Sequence, residues 1–424
     1  MPQPSPLKIL HVVPYYFPAW AYGGIPRIAY DISKEQARQG HEVTVATTDV
    51  LDANNRLPIE KGSANFEDYL QNIRKTIDGC TVYYFRNLSN VLAYRMQAFV
   101  PLGFKAWAKK NVRNFDVIHM HGHRHLLNSI AARCARKAGV PYVMTANGTA
   151  PAIERRFLLK KLFDPLFGTH VIKGAACFAA VSKFEISQYE ALGIAREKIS
   201  VIYNGLDLDE YASPPPKGTF RLENNLGEKK LILYLGKITP RKGIDVLIKA
   251  YAKLLADPAS DVTAQNSRLV IAGNDMGFLP TLQAIAEKEG ISDNILFTGL
   301  LANEEKYQCY VDCNVCVYPS TLEIFGLVPF ESMMCDTPVI VSDDCGCGEI
   351  VKTAKAGKLV PYGDTDALKT AIHEVLHAHQ DALAEEVARG KKFILANLGY
   401  EKIASQYVEM YNTAMRNNQT ETAK

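Results

Sequence analysis

Short apolar runs, each closed by glycine, proline or a polar loop, recur along the chain and set its reading. The first, Lys8-Ile9-Leu10-His11-Val12-Val13-Pro14, is apolar on successive residues, as a strand buried on both faces requires. After the loop Tyr15 to Ala21 and the glycines of Tyr22-Gly23-Gly24-Ile25-Pro26-Arg27, Ile28 to Gln39 reads as a helix stopped by Gly40. His41 to Thr47 is the next strand, which makes a βαβ unit with glycines at its first turn. Residues 50 to 80 are polar and irregular and read as an insert or lid, and Arg95 to Arg113 reads as a helix. Phe115 to His123, Val140 to Thr149, Ala179 to Ser182 and Val201 to Asp207 continue the strand-and-loop series. Ser213-Pro214-Pro215-Pro216-Lys217-Gly218 has linker composition. A second series opens at Leu231 to Lys237, followed by a helix Ile244 to Leu255 and by runs at Leu269 to Asn274, Ile295 to Gly299, Val315 to Tyr318 and Thr337 to Asp343. Alternation of this kind predicts an α/β fold built on parallel sheets.

Composition narrows the class. The 424 residues are 47% hydrophobic and 22% charged, which is soluble globular usage, and the length suits two or three domains. No run of eighteen apolar residues is present, so no membrane-spanning helix is expected. The start, Met1 to Pro6, lacks the charged-then-apolar order of a signal peptide. Nine cysteines, an odd number without framework spacing, read as reduced thiols of a cytoplasmic protein.

The candidate chemistry gathers on loops that follow these strands. In Glu323-Ile324-Phe325-Gly326-Leu327-Val328-Pro329-Phe330-Glu331, one carboxylate follows a buried strand and the other lies about two helical turns on. Gly326 lets backbone approach a ligand, and a new helix starting here offers unpaired N–H groups to an anion. One carboxylate can take sugar hydroxyls and the other a ribose diol. Lys237 and Arg241-Lys242-Gly243, between a strand and a helix, form a second anion site. Strand alternation puts His119, His121 and His123 on one face, a pattern that could mean metal. No carboxylate or cysteine accompanies them, and polar residues lining a site where strands end are the favoured reading. Cys309-x3-Cys313-x2-Cys316 has iron–sulfur spacing but runs from a helix into a buried strand, so core cysteines are expected. Asp207-Leu208-Asp209 looks like an acidic metal motif, but it sits beside the linker and reads as linker chemistry.

The segment Pro319-Ser320, Glu323, Phe325-Gly326-Leu327, Glu331-Ser332, Thr337-Pro338, Gly346 and Glu349-Ile350-Val351 resembles the C-terminal half of the retaining family-4 glycosyltransferases, with their glutamate–seven residues–glutamate signature. The resemblance runs over nearly the whole chain. It implies a GT-B fold: two Rossmann-like domains facing across a donor/acceptor cleft. Residues 1–210 would be the acceptor side and 211–396 the nucleotide-sugar side, with a helix at about 397–417 crossing back onto the first. By the same resemblance, Lys237, Lys242 and Glu323 act at the reacting centre, the lysines on the diphosphate and Glu323 by hydrogen bonding to the donor sugar. Gly24, Gly273, Phe325, Gly326, Leu327 and Glu331 would contact the donor, and His121 and Asn147 would line the acceptor side. Two positions depart from the pattern: Lys237 stands where arginine is usual, and Asn147 where many relatives carry histidine. Asparagine hydrogen-bonds but does not titrate. A third oddity is Asp336, where glycine is common before Thr337-Pro338.

The implied reaction moves a sugar from a UDP- or GDP-sugar to a saccharide, lipid-linked or small-molecule acceptor, with no cofactor, no metal and no nucleic-acid partner. A sugar-nucleotide 2-epimerase and a catalytically silent sugar-nucleotide-binding protein remain open at this level. Charge asymmetry adds one expectation. Residues 1–210 hold 26 Lys+Arg against 18 Asp+Glu, and residues 211–424 hold 22 against 27. With the basic amphipathic stretch Glu154 to Lys173, this leaves peripheral contact with the inner face of a membrane open beside an ordinary core-packing helix.

Overall fold

The computed structural model describes residues 5–58, 66–150, 168–257, 262–301 and 304–422. Most of the basic stretch from Glu154 to Lys173 lies outside them. The chain divides into two compact units, Met1–Gly205 with Tyr400–Lys424, and Leu206–Gly399. The divisions fall at 205/206 and 399/400, where the sequence pattern suggests 210 and 396. Among the described residues no helix is long and apolar enough to cross a membrane.

The first unit holds an eight-stranded sheet. Its strands are β1 (Lys8–Val12), β2 (Glu42–Thr48), β3 (Arg74–Ile77), β4 (Cys80–Phe85), β5 (Val117–His121), β6 (Tyr142–Thr145), β7 (Cys177–Ala180) and β8 (Ile199–Val201). Their order is β3-β4-β2-β1-β5-β6-β7-β8, parallel except for the β3–β4 pair. Successive residues feed opposite layers: Leu10 and Val12 join Trp107 and Leu127, while Ile9 joins Val45, Tyr407 and Tyr411. Both faces are covered, which is why the strands read as continuous apolar runs.

Two expectations are corrected here. Part of the stretch 50–80 is regular: a helix Phe66–Asn72 leads into β3, which adds antiparallel to the sheet edge. β3 reads as polar because it is a largely exposed edge strand carrying Arg74 and Lys75. Arg95 to Arg113 is not one helix but parts of two, Asn90–Met96 and Phe104–Asn111. Gln97 adopts a left-handed conformation that ends the first, and Pro101 lies between them.

The second unit holds six parallel strands: β9 (Lys230–Leu235), β10 (Ser267–Ala272), β11 (Ile295–Gly299), β12 (Val315–Tyr318), β13 (Val339–Ser342) and β14 (Lys358–Val360). Their order is β11-β10-β9-β12-β13-β14. Among the parallel strands of each sheet the order reverses at one place, between β1 and β5 in the first and between β9 and β12 in the second. Chains leaving neighbouring strands there go to opposite faces and open a crevice at the carboxyl ends, where ligands of such sheets bind.

Asp336 now has an account. It follows the helix Val328–Met334 with φ 62°, the left-handed region where glycine is at home. Its carboxylate pairs with Lys391 on the helix Gln380–Asn397. The three spaced cysteines Cys309, Cys313 and Cys316 are buried. Asp207 caps the short helix Leu208–Tyr211, its carboxylate accepting from the Asp209 amide at 3.2 Å.

Candidate functional site

At the β9/β12 reversal, three loops meet. The chain after β9 turns through Gly236 and Lys237 to Arg241-Lys242-Gly243. Gly273, which follows β10, packs so closely that a Cβ there would lie 1.7 Å from the Gly236 carbonyl oxygen. The glycine here answers first to a packing constraint. A Cβ on Gly243, with φ 65°, would lie 2.0 Å from the Pro319 carbonyl oxygen. The Thr321 amide donates to the Arg241 carbonyl at 3.0 Å, and the Gly346 amide to the Glu323 carbonyl at 2.8 Å. The loop 319–327 is therefore held on both sides. Within it Leu322 sits at φ 53°, a conformation that costs a bulky L-residue about 1 kcal/mol or more.

This clamp brings Lys242 and Glu323 into direct contact. Lys242 is buried at 7% exposure, and its Nζ donates to the Tyr318 hydroxyl at 2.6 Å and to Glu323 Oε2. Tyr318 also donates to Glu323 Oε2 at 3.1 Å, and its ring stacks on Tyr234 at 6.2 Å. Burial alone would raise the Glu323 pKa, yet the Lys242 ammonium, with help from Arg241 and the Tyr318 hydroxyl, holds it below its ordinary value. Lys237, exposed at the rim, has a lowered pKa from partial desolvation and from the Lys242 and Arg241 charges. The cluster thus concentrates three cations around one carboxylate. An ammonium has three N–H donors, and Tyr318 and Glu323 take two from Lys242, so one remains.

Glu331 repeats the arrangement in the first turn of the helix Val328–Met334. Its Oε2 accepts from the Tyr310 hydroxyl at 2.9 Å and pairs with Lys306 at 3.3 Å. Burial raises the Tyr310 pKa, as do the Glu331 charge and hydrogen bond, so it stays a donor. Gly326 lies at φ 75°, where a Cβ would crowd Glu323, Tyr318 and Cys347 at 3.1–3.3 Å. Phe325 is different: its ring is buried 5.4 Å from Phe330, so the core takes the side chain. Leu327 is the helix N-cap, and its carbonyl accepts the Phe330 and Glu331 amides.

The reversal in the first sheet is built of neutral groups. His11 on β1 joins His119 and His121 on β5, all fully buried, with ligand atoms within 4.8 Å of one another. They are engaged with each other and with the packing helix Tyr400–Thr422. His11 meets His121 at 2.9 Å and Gln36 at 2.8 Å, and His119 meets the Tyr411 and Thr145 hydroxyls at 2.8 Å. Desolvation lowers the His11 pKa to about 4 and those of His119 and His121 well below normal. His123 lies past the end of β5, its amide donating to Thr149 Oγ1 at 2.9 Å. Asn147 sits after β6 at φ 50°. Gly24 opens the helix Gly24–Arg38 and a Cβ there would meet nothing nearer than 3.9 Å, whereas Gly23 has φ 105°. The tight turn is therefore made at Gly23.

Sequence reasoning missed Tyr318, Tyr310 and Lys306, which hold the two glutamates, and His11, which joins the histidines from 110 residues away. It also missed Glu185. This buried carboxyl accepts the Gly148 amide at 2.6 Å and the Val181 amide at 2.8 Å, and burial raises its pKa to about 7.

Comparison with known proteins bears on both units. Residues 22–210 match the family described as Glycosyltransferase Family 4, and residues 217–392 the one described as Glycosyl transferases group 1. An uncharacterized glycosyltransferase of Methanocaldococcus jannaschii is 28% identical over 368 residues, 80% of this chain and 90% of that protein. The D-inositol 3-phosphate glycosyltransferase of Mycolicibacterium smegmatis is 27% identical over 379 residues, 86% of this chain and 81% of its own. Among solved structures, HepE of Anabaena in complex with UDP and glucose aligns with TM-score 0.70 at 19% identity, covering 96% of this chain and 100% of its own. Sucrose-phosphate synthase of Thermosynechococcus elongatus aligns with TM-score 0.71 at 21% identity, covering 98% and 99%. At such identities the structural likeness carries the fold.

Proposed function

Since the chain belongs to the family-4 glycosyltransferases of GT-B fold, we propose that it moves a hexosyl group from a UDP- or GDP-sugar to an acceptor hydroxyl, with retention at the anomeric carbon. The observation that carries this is the Lys242–Tyr318–Glu323 cluster at the second sheet's reversal, with Glu331 on the adjoining helix. Each glutamate uses Oε2 for protein partners, which leaves Oε1 for ligand among the described residues. Glu323 Oε1 would accept a donor-sugar hydroxyl, and Glu331 Oε1 a ribose hydroxyl. The remaining N–H of Lys242 and the ammonium of Lys237 would take diphosphate oxygens. Breaking the sugar–phosphate bond puts negative charge on the leaving diphosphate, and prepositioned cations in a partly dry site stabilise that charge most in the transition state. Glu323 is held by Lys242 and serves as an acceptor of hydrogen bonds, with no covalent step assigned to it. Lysine at 237 supplies charge without the two-pronged geometry of arginine.

HepE in complex with UDP and glucose supports the donor class by likeness of fold. The acceptor stands open between saccharide, lipid-linked and small-molecule hydroxyls. The test is incubation with labelled UDP- and GDP-sugars, with and without candidate acceptors. Released nucleotide with a new anomerically retained glycoside supports transfer. An epimerised sugar nucleotide, or no conversion of any donor, overturns it.

A further inference from the structure

Three buried imidazoles and one phenol hydroxyl converge where the helix Tyr400–Thr422 covers the first sheet. His11 comes from β1, His119 and His121 from one face of β5, and the three offer ligand nitrogens within 4.8 Å of one another. Parallel pairing sets His11 directly beside His119. The sequence pattern groups His119 and His121 with His123, but His123 lies past the strand end and His11 takes its place. The fourth group, Tyr411, reaches in from the last helix, its hydroxyl 2.8 Å from His119 Nδ1.

Hydrogen bonds fix which nitrogens are bare. Gln36 donates through Nε2 to the Tyr411 hydroxyl at 3.1 Å, so its Oε1 accepts from His11 Nε2–H at 2.8 Å. His11 Nδ1 is then a lone pair, and it faces His121 Nε2 at 2.9 Å. With His119 Nε2–H donating to Thr145 Oγ1 at 2.8 Å, His119 Nδ1 is a lone pair facing Tyr411. The two contacts, His11 with His121 and His119 with Tyr411, are neighbours: the His119 ring lies 4.0 Å from that of His121 and 5.1 Å from that of His11. A tetrahedral zinc ion about 2.0–2.1 Å from its nitrogens spaces them about 3.3 Å apart, so each contact need open by only about half an ångström to admit it. The ion replaces one proton in each contact. That of His121 passes to its Nδ1, a fully buried atom without a hydrogen-bond partner among the described residues. That of Tyr411 leaves, and the phenolate offsets one of the two charges of the ion. Metal-bound imidazoles hold their other N–H in a hydrogen bond, and Gln36 Oε1 and Thr145 Oγ1 already serve His11 and His119 in this way.

We propose that His11, His119, His121 and Tyr411 hold a structural zinc ion that fastens the last helix to the first sheet. Imidazole with a phenolate oxygen and no thiolate is a donor set for zinc rather than for softer ions. No step of sugar transfer passes through the ion, and the proposal does not rest on the transferase reading. The site closes beneath the last helix, so the metal must be supplied while the chain folds. Full-length protein expressed with added zinc and dialysed against a mild chelator should keep one ion per chain. X-ray absorption at the zinc edge should show nitrogen and oxygen neighbours only. His11→Asn should lose the ion, whereas His123→Asn should keep it. Tyr411→Phe should release it to a chromophoric chelator about ten- to a hundredfold faster than the wild type. Wild-type protein without zinc, sulfur neighbours from the buried cysteines, or an ion kept by His11→Asn and lost by His123→Asn overturns the proposal. If His11→Asn does not fold, the metal content and absorption spectrum of the wild type decide alone.

Discussion

The two sheet reversals answer one architectural problem with opposite chemistry. At β9/β12 the side chains are charged and already paired: Lys242 with Glu323 and Tyr318, Glu331 with Lys306 and Tyr310. At β1/β5 they are neutral, and several lack any partner among the described residues. A buried cation without a counter-charge would lose its proton or destabilise the fold, so the buried Lys242 is kept beside Glu323. A neutral imidazole or amide can wait at lower cost, because only hydrogen bonds are missing. The difference is one of charge: the second reversal holds paired ions, the first neutral rings and amides.

The sharpest way to break this contrast is Lys242→Ala. Removing a prepositioned donor to developing charge should lower kcat by about 10²–10³-fold, with a smaller loss of nucleoside diphosphate affinity, measured by steady-state kinetics beside calorimetry. Wild-type turnover in the folded variant would place the diphosphate clamp elsewhere.

Glu185 tests the neutral side. Its ordinary value is 4.5, and burial raises it to about 7, so the folded state holds its proton more tightly than the unfolded chain does. The resulting stability is full below pH 4.5 and is lost as pH rises through 7, on the order of 3 kcal/mol in all. Chemical denaturation from pH 4.5 to 8 should show this decline in the wild type, and Glu185→Gln should flatten it. An unchanged slope in the variant would assign the decline to another group.

Glu331→Ala sharpens the charged side. Loss of a charge-assisted hydrogen bond of about 1.5–3 kcal/mol should weaken nucleoside diphosphate binding roughly ten- to a hundredfold. Equal affinity by calorimetry would remove the ribose assignment. Smaller still, Lys237→Arg should stay within about threefold of wild-type kcat, since it keeps the charge. Chelation by EDTA should leave turnover unchanged if, as proposed, Lys237 and Lys242 rather than a divalent ion hold the diphosphate. Activity lost to EDTA and restored by manganese would move the chemistry to a metal.

The charged site was legible because Glu323 and Lys242 lie in the connections that follow the apolar runs of β12 and β9, and Glu331 in the first turn of the next helix, where a polar residue stands out. Their partners do not: Tyr318 closes the buried run Val315–Tyr318 and reads as core, and Tyr310 and Lys306 lie on a helix whose facing surface sequence does not reveal. The neutral site was half-legible. Alternation put His119 and His121 together, but His11 sits alone in the first strand and reaches them only through parallel pairing of β1 with β5. Asp336 was opaque since its cause is a backbone angle rather than a side-chain preference.

The first unit is discontinuous, and this orders the events of its synthesis. Residues 1–205 leave the ribosome early, but Tyr407 and Tyr411, which cover the buried histidines, follow only after the whole second unit has been made. At about 5–20 residues per second the delay is roughly ten to forty seconds. During that interval one face of the nascent first sheet lacks its closing helix, while the second unit, contiguous from Leu206 to Gly399, is already complete in sequence. The nascent chain must therefore shelter an incomplete apolar face, and the bonds of His119 and Gln36 to Tyr411 form only with the last helix to emerge.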